Sequence, residues 1–163
     1  DFGSGMMDSH AHWIGEEFPE FSLKDDEGNW FNHEGFKGLW SVVFFYPKDG
    51  SPGCTIESCG FRDEHEQFTA LGAQLIGVST DSVNRHRRFK EKHNLQYKLL
   101  FDDGGRLAKK LRLKRTLGLL RARVTFIIDP ECVIRGTITA QFAPKKHVYH
   151  ALRQLRELTT TDT

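Results

Sequence analysis

Three largely apolar runs mark the chain: Val42–Tyr46, Ala73–Thr80 and Val124–Asp129. Each is short, and Val42–Tyr46 has no polar face to turn to water. Such runs predict central strands covered on both sides. Between them the apolar period changes. Phe61, Phe68 and Leu71 recur at helical spacing and predict a helix from Thr55 to about Leu71. A second helix is expected to run to about His93, capped by Asp81 or Ser82. Gly105–Leu113 predicts a short third helix. Pro144–Leu158 predicts an amphipathic terminal one, with Val148, Leu152, Leu155 and Leu158 on one stripe.

The remaining segments join these. Phe21–Leu23 and Trp30–Phe31 flank DDEGN, which carries hairpin-turn residues. Asn32–Gly38 reads as a loop or single turn, Lys98–Phe101 as a short strand, and Lys114–Ala122 as a basic and apolar loop. Val133–Ala140 follows the turn Pro130–Cys132 and reads as an antiparallel partner of the third run. Strands alternating with helices, then a hairpin and a last helix, predict an α/β domain: a central mixed sheet with helices on both faces.

The 163 residues fit one domain, expected over residues 7–158. Met7–Pro19 reads as an arm laid over it, and Thr159–Thr163 as a frayed tail. Asp1–Gly5, DFGSG, resembles a cloning remnant; residues 1–6 are set aside, with native sequence expected to begin at Met6 or Met7. Charge narrows the function classes: 23 basic against 22 acidic residues leave a net charge of +1, no electrostatic reason to expect nucleic acid or an anionic membrane as partner. No apolar run is long enough to span a bilayer, and no secretion signal is legible. Three cysteines are too few for a disulfide scaffold. An odd count without a signal points to a reducing compartment, the cytoplasm, and to catalytic or buried thiols.

The chemistry gathers in residues 41–62, SVVFFYPKDGSPGCTIESCGFR. A buried strand leads through a tight loop into a helix that opens near Cys54. Exposed N–H groups and the positive end of the helix dipole favour thiolate over thiol there. Cys59 lies five residues on, and one thiol placed for attack with another nearby to close a disulfide is the layout of a thiol redox enzyme. Attack on a peroxide requires a thiolate, an in-line oxygen and fixed donors for the charge that develops on the departing oxygen. Pro47 stiffens the loop and stands where it can shield the sulfur. Ser51 offers a hydroxyl, and Gly53 lets backbone N–H approach the substrate. Arg123, just ahead of the third apolar run, is the candidate for a permanent cation.

These motifs resemble the active site of peroxiredoxins, specifically the peroxiredoxin Q or bacterioferritin-comigratory-protein group. The pattern of Pro, three residues, Thr or Ser, two residues, Cys is met by Pro47, Ser51 and Cys54; RVTFIID supplies Arg123, Thr125 and Asp129; QFAPKKH, residues 141–147, also matches. The resemblance spans about Phe18 to Leu158. It implies a thioredoxin-like fold and a thiol-dependent peroxidase without metal or organic cofactor. It implies that Cys54 is oxidised to a sulfenic acid while Ser51, the Cys54 N–H and Arg123 hold the peroxide oxygens, Pro47 shields the site and Glu57 orients Arg123. It implies that Cys59 then closes a disulfide, reduced by thioredoxin or a similar dithiol, and that the protein is a monomer. Ser51 stands where most members carry Thr, which leaves the hydroxyl less restrained.

The five-residue spacing has a geometric consequence. In an intact helix residues five apart are displaced by about 7.5 Å and turned by roughly 140°. A disulfide needs Cα atoms within about 7 Å and Cβ vectors facing each other. The start of the helix is therefore expected to unwind when Cys54 and Cys59 bond, helped by Pro52–Gly53 and Gly60.

Other polar residues take plainer readings. His10 and His12 are too few for a metal site. Arg85, Arg87, Arg88, Lys90 and Lys92 read as a solvated face, His65, His86 and His93 as solvated helix residues, Trp30 and Trp40 as packing, and Cys132 as a bystander. Two other function classes stay open at this stage. One is a protein disulfide oxidoreductase, which usually employs a CxxC that is absent here. The other is a non-enzymatic binding or chaperone-like module.

Overall fold

The computed structural model describes residues 12–116, 119–120, 123–139 and 143–161. His10, Gln141 and Phe142, with residues 1–6, lie outside the described residues. Strands β1 (Ser22–Asp25), β2 (Trp30–Asn32), β3 (Trp40–Phe45), β4 (Ala73–Ser79), β5 (Lys98–Phe101), β8 (Val124–Ile128) and β9 (Ile134–Ile138) form one seven-stranded sheet in the order β2-β1-β5-β4-β3-β8-β9. β3 runs parallel to β4, and β4 to β5; the other neighbours are antiparallel, so the sheet is mixed. A small ladder, β6 (Arg115–Thr116) with β7 (Leu119–Leu120), occupies the segment read as loop.

Period-two alternation along β3 splits the core. Val43 and Phe45 face one side, with Phe18, Phe36, Phe126 and Leu107. Val42, Phe44 and Tyr46 face the other, with Phe61, Phe68, Phe89 and Leu152. Helices α1 (Pro52–Asp63), α2 (His65–Ala70), α3 (Val83–His93) and α5 (Pro144–Thr161) supply residues to this second side, while α4 (Arg106–Lys110) supplies Leu107 and Ala108 to the first. The N-terminal arm also covers the first side. Trp13 and Phe18 are buried, and Phe18 N–H donates to the Cys132 carbonyl at 2.8 Å.

Several details depart from the sequence reading. The helix expected over Thr55–Leu71 is two helices, because Glu64 leaves helical geometry at φ −100°, ψ 9°. The terminal helix continues to Thr161, with the Thr159 hydroxyl donating to the Leu155 carbonyl at 2.8 Å, so Thr159–Thr161 are not a frayed tail. Ser82, not Asp81, caps α3 by accepting from Arg85 N–H. His86 is fully buried rather than solvated, because the α3 face that carries Phe89 turns inward.

Candidate active site

β3 delivers the chain to Tyr46 and Pro47, and the loop returns it into α1. β3 and β8 are antiparallel with Phe45 opposite Val124, so the end of one lies beside the start of the other. That register sets Arg123, one residue ahead of β8, beside the opening of α1. Its Nη1 donates to Cys54 Sγ at 3.1 Å and to Glu57 Oε1 at 3.3 Å. Cys54 and Glu57 are three apart on one helix, hence neighbours on its surface. One nitrogen therefore serves both.

Gly53 has a steric reason beyond the one expected of it. A Cβ there would overlap Arg123 Nη2. The guanidinium passes over the glycine to reach the sulfur, and any side chain would push it away.

Cys54 and Glu57 are both fully buried, and Arg123 is partly so. Burial pushes the Glu57 carboxyl from its ordinary 4.5 up to about 8, against the opposing pull of Arg123. Burial works against the charge of Arg123 too, but Cys54 and Glu57 outweigh it and hold the guanidinium above its ordinary value. Glu57 Oε1 can accept from Arg123 in either protonation state. Among the described residues Glu57 Oε2 has no hydrogen-bond partner, and His147 Nδ1 lies 3.5 Å from it.

His147 is the functional-site residue that sequence reasoning did not single out. It is fully buried, with Nδ1 at 2.8 Å from Thr125 Oγ1. Thr125, from β8, and His147, from α5, thus stand behind Glu57. The available signal was the close of QFAPKKH, one residue before Val148 on the apolar stripe of α5.

Ser51 is the N-cap residue of α1 by position, but its side chain caps nothing. Its hydroxyl donates to the Lys48 carbonyl at 3.0 Å. Pro47 is half-buried at the mouth of the same loop. Cys59 is half-buried and free, and it shares an unbroken α1 with Cys54. This is the geometry the spacing argument assigns to separated thiols. Tyr97 hydroxyl donates to the Ser58 carbonyl at 2.7 Å, and Phe61 stacks on Phe44 at 4.4 Å, so the second half of α1 is tied down. Gly60 serves packing as well: a Cβ would stand 3.0 Å from Val148 Cγ2 on α5. Cys132 lies in the β8–β9 turn, where burial raises its thiol pKa and its Sγ donates to the His33 carbonyl at 3.4 Å.

A buried thiol at a helix start, held by a guanidinium that also engages a buried carboxyl, can form and stabilise a thiolate nucleophile. Comparison with known proteins agrees. Residues 14–137 match the AhpC/TSA family. The chain is 42% identical over 154 residues to peroxiredoxin Bcp of Bacillus subtilis, covering 89% of this chain and 96% of that one. It is 41% identical over 141 residues to the chloroplastic peroxiredoxin Q of Suaeda salsa, covering 86% of this chain and 66% of the relative. The crystal structure of peroxidoxin BcpB from Mycobacterium tuberculosis superposes with a TM-score of 0.82 at 34% identity, covering 88% of this chain and 96% of that one. The fold is thus the thioredoxin-like one of peroxiredoxins, and the chain belongs to the AhpC/TSA family as a thiol-dependent peroxidase of the peroxiredoxin Q and Bcp type.

Proposed function

We propose that the chain reduces hydrogen peroxide and organic hydroperoxides at Cys54, resolves the product with Cys59, and is recycled by thioredoxin or a similar dithiol. The observation that carries this is the Arg123 Nη1 donation to Cys54 Sγ at 3.1 Å. The thiolate sulfur attacks the terminal oxygen of the peroxide. An S–O bond forms, the O–O bond breaks, and the departing alkoxide or hydroxide takes a proton to become alcohol or water. Arg123 and the Cys54 backbone N–H are the fixed donors for that charge. Ser51 joins them when its hydroxyl rotates away from the Lys48 carbonyl, and Pro47 limits water at the sulfur. Cys59 then attacks the sulfenic sulfur and expels water, leaving the Cys54–Cys59 disulfide, which two thiols of the external reductant reduce by exchange.

The protein is proposed to act in the reducing cytoplasm, a reading supported by its odd count of three cysteines, and as a monomer, a reading supported by its resemblance to the peroxiredoxin Q group. A stopped-flow assay decides between this reading and a disulfide oxidoreductase. A peroxidase consumes peroxide with only dithiol added, and Cys54→Ser abolishes consumption while folding normally. Turnover of protein disulfides without peroxide consumption would reject the reading.

A further inference from the structure

The loop between β3 and α1 rests on a buried polar cluster that the chemistry above does not use. His86 Nε2 lies 2.9 Å from the Leu100 carbonyl. A carbonyl only accepts, so Nε2 carries a hydrogen. Nδ1 lies 2.6 Å from Asp49 Oδ2, while Asp49 Oδ1 accepts the Tyr46 hydroxyl at 2.5 Å. Burial first, and the charge of Asp49 second, hold the Tyr46 phenol well above its ordinary range, so it stays a donor. The Asp49 backbone N–H donates to Asp81 Oδ2 at 2.7 Å, and Asp81 is held by the Ser79 hydroxyl at 2.6 Å and by Arg85 at 3.1 Å. Tyr46, Asp49, Asp81 and His86 are all buried.

Asp49 sits midway between Pro47 and Ser51. Both its carboxylate oxygens and its amide are bound, by Tyr46 at the end of β3, by His86 of α3, and by Asp81 in the turn before α3, which the Ser79 hydroxyl at the end of β4 holds in turn. A hydrophobic contact would hold the fold as well as a buried polar pair, whose desolvation offsets much of its attraction. What the pair adds is direction. Asp49, Asp81 and His86 each place a ligand-type atom within 4.8 Å of the others, but those atoms are already committed to the bonds above, which makes the cluster an anchor rather than a cation site.

We infer that His86 is a positioning residue of the peroxidatic loop: gripping Asp49, it fixes the span that carries Pro47 and Ser51 past the Cys54 sulfur. The inference rests on Cys54 being the group that peroxide oxidises. It separates two motions. The loop stays fixed while the first turns of α1, from Pro52, unwind for the disulfide.

The test measures two rates by stopped flow in wild type, His86→Gln and Tyr46→Phe: oxidation of Cys54 by peroxide, and closure of the disulfide afterwards. His86→Gln keeps an amide donor but not the two-ended reach of the ring between Asp49 and the Leu100 carbonyl; Tyr46→Phe removes one bond onto Asp49 and leaves His86 in place. Oxidation is expected to slow about tenfold or more in His86→Gln and about threefold in Tyr46→Phe, with closure within about twofold of wild type, as misplaced donors predict. Equal slowing of both steps would show general loosening and overturn the inference, as would oxidation at the wild-type rate. If His86→Gln does not fold, Tyr46→Phe decides alone by the same criterion. A wild type in which peroxide leaves Cys54 untouched would instead remove the peroxidase reading itself.

Discussion

Arg123 meets two groups with one nitrogen, at 3.1 Å to Cys54 Sγ and 3.3 Å to Glu57 Oε1, and that sharing makes its shape matter as well as its charge. Lysine offers a point charge without the planar fork. Arg123→Lys is expected to slow Cys54 oxidation by about 10²–10³-fold, the usual loss for one such donor, with the fold intact by circular dichroism. A rate within tenfold of wild type would contradict the role. Gly53→Ala probes the same contact from below. Its methyl displaces the guanidinium, so peroxide oxidation should slow while the reduced protein, alkylated after unfolding, still counts three thiols, the number in the sequence. Glu57 gives a pH signature. Its folded-state pKa, about 8, lies above the ordinary 4.5, so the folded protein holds a proton that the unfolded chain releases. This contribution to stability is fully present below 4.5 and is lost as pH rises through about 8. Glu57→Gln cannot deprotonate, so urea unfolding at rising pH should show the difference moving in the variant's favour. Parallel curves from acid to alkaline pH would count against the buried, protonated Glu57.

Helix α1 is a fixed object with a weak beginning. Ser51 leaves the first turn without a side-chain cap, and Glu57 Oε2 and Ser58 Oγ are buried without hydrogen bonds among the described residues. Uncapped ends and unsatisfied polar groups both lower helix stability. Beyond Ser58, the bond from Tyr97 and the stacking of Phe61 on Phe44 hold it. Unwinding on disulfide formation is therefore expected between Pro52 and about Gly60. Hydrogen exchange on the oxidised protein should show lost protection there and unchanged protection in β3, β4 and β8. Tyr97→Phe removes one tie and should speed disulfide closure about two- to tenfold, the worth of one hydrogen bond. Retained protection through residues 54–60 in the disulfide form would refute the spacing argument.

On the scale of the whole molecule, the sheet explains why the site lies where it does. Antiparallel β3 and β8, neighbours inside the sheet, bring Arg123 to the end of β3, and α5 closes over α1 through Val148 and His147. Phe126, fully buried beside Trp13, Phe18 and Phe45, anchors that arrangement; Phe126→Ala should cost about 3–5 kcal/mol in denaturant unfolding. Much of this was legible in the sequence. Largely apolar runs marked β3, β4 and β8, and a cation directly before one of them pointed at the helix opening. His86 was not legible, because RHRRF surrounds it with charges and only the neighbouring Phe89 hints at the buried face. The break at Glu64 was hidden by apolar spacing that continues across it. The role of His147 was hidden because its partners, Glu57 and Thr125, are distant in sequence and meet only through packing. The most direct test of the central claim is intact mass after one equivalent of peroxide, with peptide mapping. The parent should lose two hydrogens, and Cys59→Ser should gain one oxygen on Cys54. An unchanged mass in both, or oxygen found on another residue, would contradict it.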